Sequence, residues 1–291
     1  MKNTITLLAA VALAAPLAAQ AQIANPQPSP KASIMQRVGL TDVTITYSRP
    51  SARGRVIFGD STSLVPTGQR WRTGANATTS IKFADDVTVE GVKVPAGEYG
   101  LYTVPGPTEW RVVLNKSLQQ GADVAGFKDE QNVASFVVKP YKLPARAETF
   151  TITFTDLATT SASVAMEWET MGVKFKVVSD VEGKIMAQIN ERVVKNAAPT
   201  PGDLALAATY YYDNKKDLKQ ALTWIQKANA TAPKYWNVGT EAKIRLQLKD
   251  YKGAIAAAEQ SKKLALESTP PNAGYAKADD VIIAEARKGG K

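Results

Sequence analysis

The apolar residues of this chain change their period once, near Val181, and that change limits the fold more than any single motif does. Upstream of it, from residue 33 to about 179, the period is two. Val43, Ile45 and Tyr47 alternate with Thr44, Thr46 and Ser48, and Ile81 and Phe83 flank Lys82. Val112 and Leu114 flank Val113, Phe136 and Val138 repeat the pattern, and Phe150, Ile152 and Phe154 alternate with threonines. Val164, Met166 and Trp168 are expected to form one strand that closes against a second through Val173, Phe175 and Val177. Such alternation marks strands with one buried and one wet face. Turn signals at Glu90-Gly91, Pro95-Ala96-Gly97 and Pro105-Gly106-Pro107 separate them. About nine short strands without intervening helices predict an antiparallel β-sandwich or jelly-roll-like domain.

Downstream the spacing turns helical. Ile185, Ile189 and Val193 share a helix face, and residues 196–201 end it. The sequence then nearly repeats itself: Asp217-Leu218 and Asp250-Tyr251 lie 33 residues apart, as do Ala221 and Ala254. Ala221, Ile225 and Ala228 followed by Pro233 resemble the second helix of a tetratricopeptide unit, with Ala208 and Tyr212 on its first. Ala254, Ala258 and Ser261 form a weaker second copy. Small residues at those positions permit close helix–helix approach. Two repeats need neighbours to cap them, and the 185–194 and 273–288 helices are placed to do so. The expected class is α+β and multidomain, with a tetratricopeptide-like array of α-helical hairpins at the C-terminus.

The first residues read as a secretory signal: Lys2, a short apolar stretch from Ile5 to Leu17, and Ala19-Gln20-Ala21 as a small-x-small cleavage site. That stretch is shorter than the roughly 20 residues a membrane-spanning helix needs. The expected organisation is a signal peptide over 1–21, a proline-rich lead-in over 22–32, and a β-domain over 33–180. A connecting helix over 181–198 and a helical domain over 199–291 complete it. The product is expected to be extracytoplasmic, periplasmic or secreted, with no membrane span.

Charge and missing residue types narrow the chemistry. Residues 22–180 carry 17 basic and 15 acidic side chains, whereas 181–291 carry 18 and 12, so the surplus lies in the helical half. A basic surface there either attracts anionic partners or keeps the helices solvated. No nucleic-acid signature accompanies it. The chain has no His and no Cys. That removes Ser-His-Asp triads, HExxH zinc sites, thiolate nucleophiles, disulfides and iron–sulfur clusters. No cofactor and no metal site is expected. Glu167 and Glu169 share a strand face two residues apart, a weak acid-pair signal. Asp85-Asp86 lacks the rest of a calcium loop.

The segment between the strand ending at Ser48 and that starting at Thr79 has little periodicity. Loops of about thirty residues inside a compact domain are usually functional or disordered, and Ile57, Phe58, Leu64, Val65 and Trp71 argue against disorder. Arg49, Arg53, Arg55, Arg70 and Arg72 crowd into it with Asn76 and four glycines. Guanidinium forks match planar anions. One reading makes Arg49, Arg55, Trp71, Arg72 and Asn76 the lining of a pocket for an anionic or carbohydrate ligand. The other pairs the arginines with acids such as Asp42, Asp60, Asp85 or Glu98 and puts Trp71 in the core, so that the loop is scaffold.

Several stretches carry a resemblance in their expected order. They are Thr41-Asp42-Val43-Thr44-Ile45-Thr46-Tyr47-Ser48-Arg49-Pro50-Ser51, Gly54-Arg55-Val56-Ile57-Phe58-Gly59, Leu64-Val65-Pro66 and Trp71-Arg72-Thr73-Gly74-Ala75-Asn76. Val94-Pro95-Ala96-Gly97-Glu98-Tyr99 and Trp110-Arg111-Val112-Val113-Leu114-Asn115 follow. Over about residues 30–178 the chain resembles the family known as domain of unknown function 2911. The resemblance implies an exported β-rich domain, often with a tetratricopeptide-like tail, and no established activity. Relatives place an acidic residue after the motif asparagine where this chain has Ala77, so any role of that carboxylate is missing here.

The function expected from these features is a non-catalytic binding or interaction module. A small ligand would sit at the β-domain and a protein partner at the helical repeats. Two alternatives remain: a hydrolase acting on an envelope glycan or phosphoester with Arg, Asp, Glu and Asn alone, and a structural envelope protein.

Overall fold

A computed structural model describes residues 25–290; the expected signal peptide and the first three residues of the expected lead-in lie outside the described residues. Contacts divide the chain into two units, the first ending at Val178 and the second beginning at Ser179. The first is built of antiparallel sheets and the second of helices, an α+β organisation. Among the described residues no helix is long and apolar enough to cross a membrane.

Six strands form the larger sheet in the order β1-β2-β5-β8-β9-β10, with every neighbouring pair antiparallel. Their ranges are β1 Lys31–Val38, β2 Thr41–Ser48, β5 Ser80–Phe83, β8 Gly97–Val104, β9 Trp110–Asn115 and β10 Asn132–Val138. The second sheet runs β11 (Tyr141–Thr155), β12 (Ser161–Ser179), β6 (Val87–Val89), β7 (Val92–Val94). Hairpin β1–β2 closes through Gly39, whose φ of 57° is the positive value that two-residue turns favour. The alternation read from the sequence sends Val43, Ile45, Ile81, Phe83, Val112 and Leu114 inward. They join Phe150, Ile152, Val164, Trp168, Val173 and Phe175 of the second sheet in one continuous core. Tyr47 ties the two sheets together: its hydroxyl accepts from the Ile152 amide at 3.0 Å and donates to the Ile152 carbonyl at 3.3 Å.

Three details differ from the sequence expectation. The structure has twelve strands among the described residues, including two-residue β3 (Phe58–Gly59) and β4 (Val65–Pro66), which pair in parallel. The residues expected to make two strands at 164–168 and 173–177 lie on one 19-residue strand, β12, bent where Glu169 takes a φ of 57°. The inward set slips by one position there, from Trp168 to Val173, and a phase slip of that kind fits an irregularity within one strand as well as a turn between two. Val113 is also buried, because its face of the larger sheet is covered. Beside it Tyr102 packs edge-on against Phe127 at 4.8 Å and donates to the Ser117 carbonyl at 2.6 Å.

The helical unit starts with α1 (Val181–Ile189), which continues as a π-helical turn over Asn190–Val194. Then come α2 (Pro201–Asp213), α3 (Leu218–Thr231), α4 (Tyr235–Gln247), α5 (Tyr251–Glu267) and α6 (Ala273–Gly289). Side-chain oxygens of Asp180, Thr200, Asp217, Asp250 and Asn272 accept from amides in the first turns that follow them. These caps satisfy donors that a helix start leaves open. Ala208, Ala221, Ala228, Ala254, Ala258 and Ser261 are fully buried, the small-residue contacts that the spacing predicts.

One buried group works against this packing. Asp279 on α6 is 1% exposed, and its Oδ2 has no hydrogen-bond partner. Burial pushes its carboxyl above the usual range, against the Ser261 hydroxyl and the lysines Lys243 and Lys262, which favour the charge; Asp280 opposes it. A carboxyl whose pKa is higher in the folded state costs stability once pH rises through that value. Asp279→Asn should therefore raise the melting temperature of the helical unit at pH 7. The advantage should vanish below about pH 4, where the carboxylate is neutral in both states; thermal denaturation at the two pH values checks it.

Candidate functional site

The aperiodic segment after β2 is fixed at both ends by backbone pairing. Ser51 bridges to Thr149 of β11, and Trp71 bridges to Thr103 of β8 with hydrogen bonds of 2.8 and 3.0 Å. Between them the β3–β4 pair folds the segment back on itself. Trp71 is 9% exposed and stacks on Trp168 of β12, with ring centres 5.8 Å apart and planes 20° from parallel. Phe58 and Phe150 meet it edge-on at 6.1 and 5.1 Å. Its indole nitrogen donates to the Gly74 carbonyl at 3.0 Å. Aromatic clusters of this kind combine large buried area with a geometric preference that fixes ring placement.

Beyond Trp71 the backbone takes unusual conformations. Thr73, Gly74 and Asn76 have φ values of 57°, 150° and 58°. For a β-branched residue such as Thr73 this is a strained conformation, and strain of about 1–3 kcal/mol persists only where the surroundings impose it. Thr73 is fully buried; its hydroxyl lies 3.1 Å from that of Thr103, and its carbonyl accepts from the Thr79 hydroxyl. A Cβ on Gly74 would lie 3.1 Å from the Ser48 carbonyl oxygen, so the chain passes too close to β2 for a larger residue. This pinned turn sets the direction of Arg72.

A pocket of about 230 Å³ opens where these parts meet, lined by Arg55, Arg70, Arg72, Gln69, Trp71 and Trp168 with the Pro50, Pro66 and Ala122 backbone regions around them. No carboxylate lines it. Arg72 has no ion pair among the described residues, and its Nε is buried without a hydrogen-bond partner. Burial alone lowers its pKa from the ordinary guanidinium value, and no acid offsets that. The group stays charged at neutral pH, since arginine does not deprotonate in proteins. Arg70 donates to Asp129 at 3.0 Å and lies 3.6 Å over the Phe127 ring, yet its Nε is likewise buried and unpartnered. Arg55 spends two donors on the Ala52 and Ser51 carbonyls, at 3.0 and 2.7 Å.

Of the five residues singled out from the sequence, the structure brings Arg55, Trp71 and Arg72 together around this pocket and places Arg49 and Asn76 elsewhere. Arg49 donates to the Phe150 carbonyl at 3.3 Å and the Thr151 hydroxyl at 2.8 Å, joining β2 to β11. Asn76 donates to the Ser29 carbonyl at 3.0 Å. Two of the acids expected to hold the loop arginines have other partners. Asp42 takes Arg37, Asp60 takes Thr62, and most loop guanidiniums grip backbone carbonyls instead. Arg70, which the sequence places in the same arginine-rich loop, also lines the pocket. Trp168 and Ala122 come from distant segments and carried no sequence signal.

The other candidates are internally occupied. Glu169 forms a salt bridge with Arg146, and Glu167 accepts from the Tyr141 hydroxyl at 2.9 Å. Burial first, and then that carboxylate, push the Tyr141 phenol up. Asp86 accepts from the Ala96 amide at 2.8 Å. Among the described residues no three Asp or Glu side chains are grouped so as to hold a metal ion.

Comparison with protein families matches residues 29–177, about half of the chain and nearly all of the described β-rich unit, to Protein of unknown function (DUF2911). The chain belongs to that family. No curated protein matches it, and no solved structure does. The DUF2911 region contains every residue that lines the arginine pocket.

The two kinds of arginine in this region should respond differently to apolar replacement. Arg49→Met removes bonds to Phe150 and Thr151 and should cost about 1–2 kcal/mol, roughly 2–8 °C in melting temperature. Arg72→Met loses no partner and relieves a buried charge, so its melting temperature should equal or exceed the wild-type value. Calorimetry of the two variants side by side checks this.

Proposed function

We propose that the DUF2911 domain of this protein binds a small anionic ligand, without transforming it, in the pocket at Arg72. A single observation carries the reading. A half-buried guanidinium, with one donor wholly buried and unmatched, faces a cavity bordered by two further guanidiniums and no carboxylate. Unmatched buried donors are costly, and this one calls for a partner. The strained Thr73 turn beside Arg72 belongs to the same pattern. The lining offers no group that gains or loses a proton near neutral pH, which favours binding over hydrolysis.

In this proposal the two sheets make a β-sandwich that serves as a rigid frame for the loop. The α2–α3 and α4–α5 hairpins make a tetratricopeptide-like array that contacts a protein partner. The chain works outside the cytoplasm after cleavage near Ala21. Each part has its own support: the continuous core, the small residues buried at the repeat positions, and the Lys2 and Ala19-Gln20-Ala21 signature.

A thermal-shift series on the full chain with phosphate, citrate and glucuronate tests the pocket. A ligand at a hundred times its Kd stabilises by about 2.7 kcal/mol, roughly 5–10 °C for a domain of this size. At least one anion should give that shift, and Arg72→Gln should remove it while leaving the unliganded melting temperature unchanged. If no anion shifts the wild type, or the variant keeps the shift, the pocket is not the binding site.

A further inference from the structure

A second, larger cavity borders the arginine pocket. It has a volume of about 680 Å³, and Gly68, Pro105, Gly106, Thr108 and Arg111 line it together with Arg70. Arg70 therefore belongs to both cavities. The strip between them is the chain from Pro66 to Arg70, held by the Gly68 amide donating to the Pro105 carbonyl at 2.7 Å. Pro66 and Gln69 face the pocket, and Thr67 and Gly68 face the cleft.

We propose that pocket and cleft are two subsites of one track, whose occupant is an acidic oligosaccharide with carboxylates that meet Arg72, Arg70 and Arg111 in turn. The inference rests on the reading of the Arg72 pocket as an anion site and names its ligand class. Size supports it first. The pocket alone is smaller than the roughly 300–1,000 Å³ of ordinary ligand sites, and with the cleft it comes inside that range.

Charge supports it next. Arg70 is held by Phe127 and Asp129 on one side and keeps its Nε unmatched. Arg111 is exposed on β9 without an ion pair among the described residues, and Glu109 is the one acid that lines the cleft. Cations thus recur along the track, as an occupant with repeated anionic groups requires.

The rest of the lining decides the kind of chain. Thr67 and Thr108 offer hydroxyls suited to sugar hydroxyls, and Gly68 (φ 79°) leaves open space where a side chain would stand. No aromatic ring lines the cleft, so there is no platform for stacking nucleic-acid bases.

Isothermal titration of the full chain at low salt, with galacturonic acid and its trimer, tests the track. The trimer should bind at least tenfold more tightly than the monomer. Arg111→Gln should abolish that gain, and Arg72→Gln should weaken both by tenfold or more. Circular dichroism melts confirm that each variant is folded. Equal affinities for monomer and trimer, or a gain that survives Arg111→Gln, overturn the track; monomer binding that still depends on Arg72 then leaves the small-anion reading in place. Triglutamate binding as tightly as the trimer overturns the sugar assignment. Absence of any anion binding removes both readings together.

Discussion

The contact between Trp71 and Trp168 governs what the long segment after β2 can be. Thirty residues without regular structure would lose more conformational entropy on ordering than a few polar contacts return. Stacking Trp71 on a tryptophan of the opposite sheet, with Phe58 and Phe150 at its edges, anchors that segment in the main core together with Ile57 and Val65, while residues 53–56 and 60–62 stay exposed. Its backbone bridge to Thr103 and its indole bond to Gly74 then leave little freedom for the next residues. Arg72, immediately after the anchor, inherits that rigidity.

Arginine serves two purposes in this one segment, and the partners distinguish them. Arg49, Arg53 and Arg55 reach carbonyl groups of the chain's own backbone, at Phe150, Pro28 and Ala52. They close an irregular path whose carbonyls would otherwise be left open. Arg72 closes nothing. A buried donor without a partner is unfavourable for stability, and nothing in the loop itself offsets that cost. That asymmetry, more than the number of arginines, is what the proposed anion site rests on.

The helical unit follows a simpler rule. Alanines at the repeat positions allow the helices to approach, and Asp or Asn ahead of most helices supplies the cap. One departure, Asp279, places a carboxyl among small residues where Gly239 and Ser261 make room. The space is there, but the hydrogen bonds for both oxygens are not.

How much could be read in advance follows from the range of each interaction. Alternation and helical spacing are local, so the strands at 43–47, 81–83 and 150–154, the small-residue helices and the change of architecture near residue 180 were legible in the chain itself. The arginine-rich segment was legible as a candidate for the same reason. Its division was not. Arg49 and Arg72 look alike in sequence, and only the positions of Phe150, Thr151 and Trp168, about a hundred residues away, separate a brace from an open donor. Local pattern determined which elements form and which residue types crowd together. The folding of β11 and β12 against the loop decided which charges are spent inside the molecule, because that depends on contacts between residues far apart in the chain.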